Sequence, residues 1–198
     1  MKPFRNQHPV RTFAKQYANY RDYKKYLRSD FHRRCGYCND LDTLCGGMRG
    51  FHIDHFCPQT VARDLVNDYN NLVYACPYCN VAKSNDWPTG RPDCSVINNS
   101  GYVDPCDLAF DDHLERYDNG RIRPKTELGR YMFQELKLGL RRHQLAWAYE
   151  QLEELLKELT NELIKFETVL PEFEALRKHH IMLTKEYLAY KTLFEETL

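Results

Sequence analysis

The sequence has no leader-like segment, no membrane-length apolar run and no net charge, and each absence excludes something. Its first residues, MKPFRNQHPVRTFAKQ, carry charges with no apolar stretch behind them, which argues against a secretory signal. No segment approaches the roughly eighteen apolar residues that a membrane span requires. A cytosolic chain with no membrane partner is the expectation. The eight cysteines are then read in a reducing compartment, where metal binding or catalysis outranks disulfides. At 198 residues the chain can bury a core, as one domain with an appendage or as two small ones.

The formal charge of zero hides an asymmetry. Up to Asp40, ten Lys/Arg stand against three acids; from Glu150 onward, eleven acids stand against six bases. A basic head suits a polyanion and an acidic tail suits a protein, although charge alone is equally well explained by two solvated faces. Residues 11 to 28 read as a helix with Phe13, Tyr17, Tyr20 and Leu27 near one face, a stripe expected to pack rather than to stack on bases. WPTGRPDCSVINNSGYVDPCD, rich in Pro, Gly, Asn and Asp, reads as a loop. HLERYDNGRIRP reads as a hairpin turning at Asn119-Gly120. In the tail, Leu152, Leu156, Leu159, Leu163, Phe166 and Leu170 form a coiled-coil-like seam that needs a partner surface. Pro171 is expected to end or kink that helix before a second amphipathic segment, in which His179 and His180 read as surface residues.

Chemistry concentrates between residues 34 and 85. Cys35-Gly-Tyr-Cys38 and Cys76-Pro-Tyr-Cys79 are two knuckles whose two-residue gaps let both sulfurs of each face one ion, as a tetrahedral structural zinc site needs. A lone CGYC would also fit a redox motif, but two matched pairs without a βαβ pattern argue against it. The other cysteines, Cys45, Cys57, Cys94 and Cys106, are irregularly spaced and read as free thiols. Between the knuckles lies FHIDHFCPQT. As a strand from Phe51 to Phe56, it puts His52 and Asp54 on one side and Ile53 and His55 on the other. Phosphodiester hydrolysis needs a base to activate water and a cation for the developing charge. Histidine suits the first task, and a hard divalent ion wants the oxygens of Asp and Asn. Asp54 is the nearby carboxylate. Asn80 directly follows Cys79, so a knuckle that fixes the cysteines also fixes this amide. Lys83 and Asn85, on the same segment, suit phosphate contact.

The order CxxC, HIDHxxP, NNLVxxCxxCNxxK resembles the HNH endonucleases, ββα-metal nucleases with an added four-cysteine zinc site, over Arg34 to Asn85. The resemblance implies His55 as general base, Asp54 and Asn80 as ligands of one catalytic divalent ion, and Asn71 as the asparagine that braces the loop after the first strand. Asn80 in place of a final histidine favours the hard ions Mg²⁺ or Mn²⁺ over the softer, later transition metals. His52 is left open among ion ligand, phosphate contact and hydrogen-bond partner of Asp54. Arg34, with Arg33, Arg91, Arg121 and Arg123, is a candidate for phosphate-backbone contact. Residues 113 to 143 more weakly resemble the region that follows the nuclease core in stand-alone bacterial HNH proteins, some of which act beside an ATPase in anti-phage systems.

The fold expected is therefore α+β: a ββα core stapled by a four-cysteine zinc site, with an N-terminal helix and a C-terminal helical region. Its divisions are a basic segment 1–33, the core and following hairpin 34–124, and a helical interaction region 125–198 that docks an ATPase subunit or a second copy. DNA is the expected substrate. The competing class is a zinc-stabilised binding or regulatory subunit without turnover, which has no need for a base.

Overall fold

The computed structural model describes residues 2–165 and 171–197. The chain divides into two compact units, Met1–Leu140 and Arg141–Leu198.

The first unit is a mixed α and β body built on very short strands. β1 (Lys2–Pro3) is followed by a 3₁₀ turn at Tyr20–Tyr23 and α1 (Lys24–Asp30). The one-turn helix α2 (Gly47–Gly50) leads into β2 (His52–His55); β3 (Leu72–Ala75) runs directly into α3 (Pro77–Lys83). β2 and β3 pair antiparallel, with Asp54 opposite Val73 and His55 opposite Leu72. β3 is buried along its whole length, which explains its unbroken apolar run LVYA rather than an alternation. Pro77 occupies the first turn of α3, where its missing N–H costs nothing, and the Cys76 sulfur caps that turn by accepting from the Cys79 N–H.

Residues 11–19 are not helical, contrary to the reading of residues 11 to 28. The aromatic spacing is real, but its partners lie on other elements. Phe13 stacks on Tyr26 at 3.8 Å between ring centroids, and Thr12 donates from both its N–H and its hydroxyl to the Asp30 carboxylate. Arg11 reaches the Leu72 carbonyl and Asp104. The segment is thus laid along α1 by tertiary contacts, and the helix starts only after Asn19 caps the 3₁₀ turn through the Arg21 N–H.

The Pro/Gly/Asn-rich stretch read as a loop contains a hairpin, β4 (Val96–Ile97) with β5 (Ser100–Gly101). Asn98 and Asn99 both take positive φ, 48° and 60°, the two-residue turn that matches strand twist and that asparagine tolerates. Gly101 sits at φ +129°, and a Cβ there would lie 2.0 Å from the Ser95 carbonyl oxygen. Gly101→Ala is expected to destabilise the first unit by about 2 kcal/mol or more, measured as a lower thermal midpoint; an unchanged midpoint would show that the turn can open at no cost. The second expected hairpin is present as β6 (Leu114–Arg116) and β7 (Ile122–Pro124), which with β1 make a three-stranded sheet. Its loop is closed by Tyr117 N–H donating to the Arg121 carbonyl, with Gly120 at φ +83°. The Asn-Gly pair therefore serves a three-residue loop ending in a left-handed glycine. α4 (Glu127–Glu135) follows, capped by the Thr126 hydroxyl accepting from Gly129 N–H.

The second unit is an antiparallel helical hairpin of α5 (Arg141–Lys165) and α6 (Pro171–Glu195). Tyr149 and Tyr187 share a hydroxyl–hydroxyl bond of 2.5 Å, Thr160 meets His180 at 3.1 Å, and Arg142 stacks over Phe194. Leu152 is buried and Leu156, Leu159 and Leu163 are half-buried, so the seam finds cover on α6 of the same chain. Phe166 and Leu170 lie outside the described residues. Pro171 opens α6 at its first position, where proline is compatible with a helix. No helix among the described residues is long and apolar enough to cross a membrane.

Candidate active site

Four buried thiols meet where the two knuckles come together. The sulfurs of Cys35, Cys38, Cys76 and Cys79 all lie within 4.8 Å of one another, and those of Cys38 and Cys76 are 3.7 Å apart. Two sulfurs bound tetrahedrally at ~2.3 Å from zinc would be about 3.8 Å apart, so the donor set fits that ion. Burial pushes the Cys38 and Cys79 thiols well up, and only a bound cation makes four buried thiolates tenable. The remaining cysteines form no disulfide among the described residues.

The knuckles are held from behind by arginines whose part the sequence did not disclose. Arg116 is fully buried and donates to the carbonyls of Cys38 (2.7 Å) and Gly120 (2.8 Å). Arg5 pairs with Asp111 at 2.7 Å and reaches the Gly36 carbonyl. Apart from the bond to Gly120, these contacts span 31 to 106 residues of sequence, which no local pattern announces.

In front of the knuckles, β2 and α3 wall a cleft of about 420 Å³ lined by Ile53, Asp54, His55, Pro58, Gln59, Thr60, Asn80, Ser84 and Asn85. Strand alternation turns His52 and Asp54 toward α3. The exposed His52 Nδ1 meets the Asn80 amide nitrogen at 2.9 Å, and the Asp54 Oδ2 meets Lys83 Nζ at 3.1 Å. Tyr37, from within the first knuckle, donates its hydroxyl to the same Asp54 oxygen at 2.5 Å. Burial pushes the Asp54 carboxyl up from its ordinary range, and Lys83 and Tyr37 oppose that rise. Asp54 Oδ1 and the Asn80 side-chain oxygen have no hydrogen bond among the described residues, so one carboxylate and one amide oxygen remain at the cleft for a hard cation.

His55 faces the other way and is buried. Its Nε2 lies 2.9 Å from the Val66 carbonyl; a carbonyl only accepts, so Nε2 carries the proton and Nδ1 keeps its lone pair. The Gln59 amide nitrogen sits 3.1 Å from that Nδ1. Tyr20 stands edge-on to the imidazole at 4.8 Å. Burial lowers the pKa of His55 from its ordinary value, against the Val66 carbonyl and Asp54, which raise it; the neutral ring is the favoured form.

Residues 35–86 match the family model for HNH endonuclease. This segment is an HNH endonuclease domain. It covers about a quarter of the chain, and no curated protein and no solved structure matches the chain. The HNH domain takes in both cysteine knuckles, β2, β3 and α3, the ββα arrangement expected of the core.

The structure places the other expected site residues unevenly. Asn71 is buried and clamps the loop after β2: its Oδ1 accepts from Cys57 N–H at 2.8 Å, and its amide donates to the Cys57 carbonyl at 3.0 Å. Asn85 is exposed at the cleft. Arg34 is not among the lining residues of the HNH cleft; its guanidinium donates to the Asn39 carbonyl at 2.9 Å beside the first knuckle. Lys83 corrects an expectation. It is 0% exposed and donates inward to the His55 carbonyl at 2.9 Å and to Asp54, so it cannot contact a phosphate. α3 is only two turns long, and while Val81 in its last turn is exposed, Lys83 falls on the side that faces the protein. Tyr37 and Gln59 were missed altogether: a tyrosine inside CxxC and a glutamine after a proline carry no signal of their own.

Proposed function

We propose that the HNH domain is a metal-dependent endonuclease that hydrolyses phosphodiester bonds, with DNA as substrate. The observation that carries this reading is the His55 tautomer. The Nε2 proton is committed to the Val66 carbonyl, which leaves the Nδ1 lone pair at a cleft that also holds Asp54 and Asn80. His55 takes the proton from the attacking water at Nδ1. Asp54 and Asn80 hold Mg²⁺ or Mn²⁺ through the oxygens left over from their bonds to Lys83, Tyr37 and His52. The bound ion supplies positive charge for the scissile phosphate and its leaving oxygen. Asn71 keeps the loop after β2, and with it the ring of His55, in place. The amide of Gln59 must leave Nδ1 before water can reach it.

His55→Ala is expected to lower the rate of supercoiled-plasmid nicking in Mg²⁺ or Mn²⁺ by about a hundredfold or more, the usual contribution of a general base. An unchanged rate would sink the assignment. The Gln59–His55 bond also favours a second reading, a subunit that is silent until a partner or substrate moves Gln59. Under it, the isolated chain binds its metals and cuts nothing. Functionally we divide the chain as a basic segment 1–33, a catalytic part 34–124 and a helical interaction region 125–198. A place beside an ATPase in a bacterial anti-phage system, in the cytoplasm, rests on the weaker resemblance of residues 113 to 143, and co-purification from the host tests it.

A further inference from the structure

The basic N-terminal stretch is not uniformly free. Arg5 pairs with Asp111, Arg11 with Asp104, and Arg28 and Arg33 with Asp42. Among the described residues, Lys15, Arg21, Lys24 and Lys25 form no ion pair with any carboxylate, and Asp22 is the one acid between Asn19 and Ser29. Burial of part of its stem lowers the pKa of Lys24 with no carboxylate to oppose it.

Arg21 is linked to His55 through one intervening ring. Tyr20 is edge-on to His55, and its N–H donates at 2.9 Å to Asn67, the neighbour of the Val66 that holds His55 Nε2. The Arg21 guanidinium lies 5.7 Å from the centre of the Tyr20 ring, and Lys24 follows one helical turn after Tyr20. Of the cations without a carboxylate, Arg21 lies on the ring that meets His55 and Lys24 stands one turn further along the same segment, so these two are the ones a polyanion entering at the cleft histidine would meet.

We propose that Arg21 and Lys24 grip the phosphodiester backbone of the substrate next to the scissile phosphate. This site deepens the nuclease reading and rests on it. The shared ligand chemistry is a nucleic-acid backbone, which both DNA and RNA present.

The test measures binding of labelled duplex DNA and labelled single-stranded RNA to the full chain and to R21A/K24A, across a salt series with no added divalent ion. Each lost phosphate contact lowers the slope of log affinity against log salt by about 0.9 for duplex DNA and about 0.7 for a single strand. The double variant is therefore expected to lose about 1.8 from the slope on the first probe, or about 1.4 on the second, and the probe that responds identifies the source. R21K/K24R keeps both charges and is expected to keep the slope. Zinc content and thermal midpoint check that R21A/K24A is folded. An unchanged slope and affinity in R21A/K24A overturns the proposal, as does a wild type that binds neither probe. Plasmid cleavage by the wild type reads the nuclease assignment separately. Cleavage with an unaltered slope sinks only the grip. A reduced slope without cleavage under any divalent ion sinks only the nuclease.

Discussion

Replacing Cys35 or Cys76 with serine is expected to abolish zinc binding and unfold the HNH domain. A structural zinc contributes an apparent 10–16 kcal/mol at neutral pH, which matches or exceeds the roughly 5–15 kcal/mol that separates a typical domain from its unfolded state. Serine offers no thiolate, so three sulfurs and a hydroxyl would have to hold the ion. The loss spreads because Cys76 is also the cap of α3, the helix that carries Asn80 and Lys83. Elemental analysis should give about one zinc per wild-type chain and none in either variant, with the folded circular-dichroism signal lost in parallel. Cys94→Ser is the control: that thiol is free and half-exposed, bonded only to the Val96 carbonyl, and its loss should leave zinc and fold intact. Zinc retained in both knuckle variants would refute the assignment.

The knuckles were legible in the sequence because ligand chemistry fixes spacing: two sulfurs on one ion require the CxxC gap wherever they occur. β2 and the Asn119-Gly120 hairpin were legible for a similar local reason, alternation in one case and turn chemistry in the other. What escaped was set by distant partners. Phe13 and Tyr17 carry a helical period, but Thr12 and Phe13 are claimed by Asp30 and Tyr26, and the segment stays extended. The buried guanidinium of Arg116 looks like any basic strand residue until Cys38 and Gly120 are found on it. In the tail, the leucine seam announced that a partner was needed without saying that α6 would supply it. The roles proposed for Asp54 and His55 rest on resemblance, but the bonds that orient the two side chains, from Tyr37 and Gln59, had no signal in the sequence.

Lys83 is where this difference has its largest measurable consequence. A lysine two residues before an asparagine, on a helix after a metal knuckle, reads as a phosphate contact, yet the ammonium is sealed inside against Asp54 and the His55 carbonyl. Lys83→Met keeps the stem's volume and removes the charge. Asp54 would then be a nearly buried carboxylate with only the Tyr37 hydroxyl to stabilise it, and breaking one side of such a pair costs about 3–5 kcal/mol. For a chain of this size that is a fall in thermal midpoint on the order of 10 °C. If the cost is the orphaned carboxylate, D54N/K83M should recover most of the lost stability, because removing both charges leaves neither uncompensated. Cleavage should be absent from both variants, since the first loses the ammonium that holds Asp54 in place and the second loses the carboxylate itself. A lysine that merely touched phosphate would behave in the opposite manner: Lys83→Met would leave the midpoint unchanged within about 0.5 kcal/mol and weaken binding in a salt-dependent way. Thermal unfolding of the two variants therefore separates an internal counter-ion from a substrate contact without any need for an active enzyme.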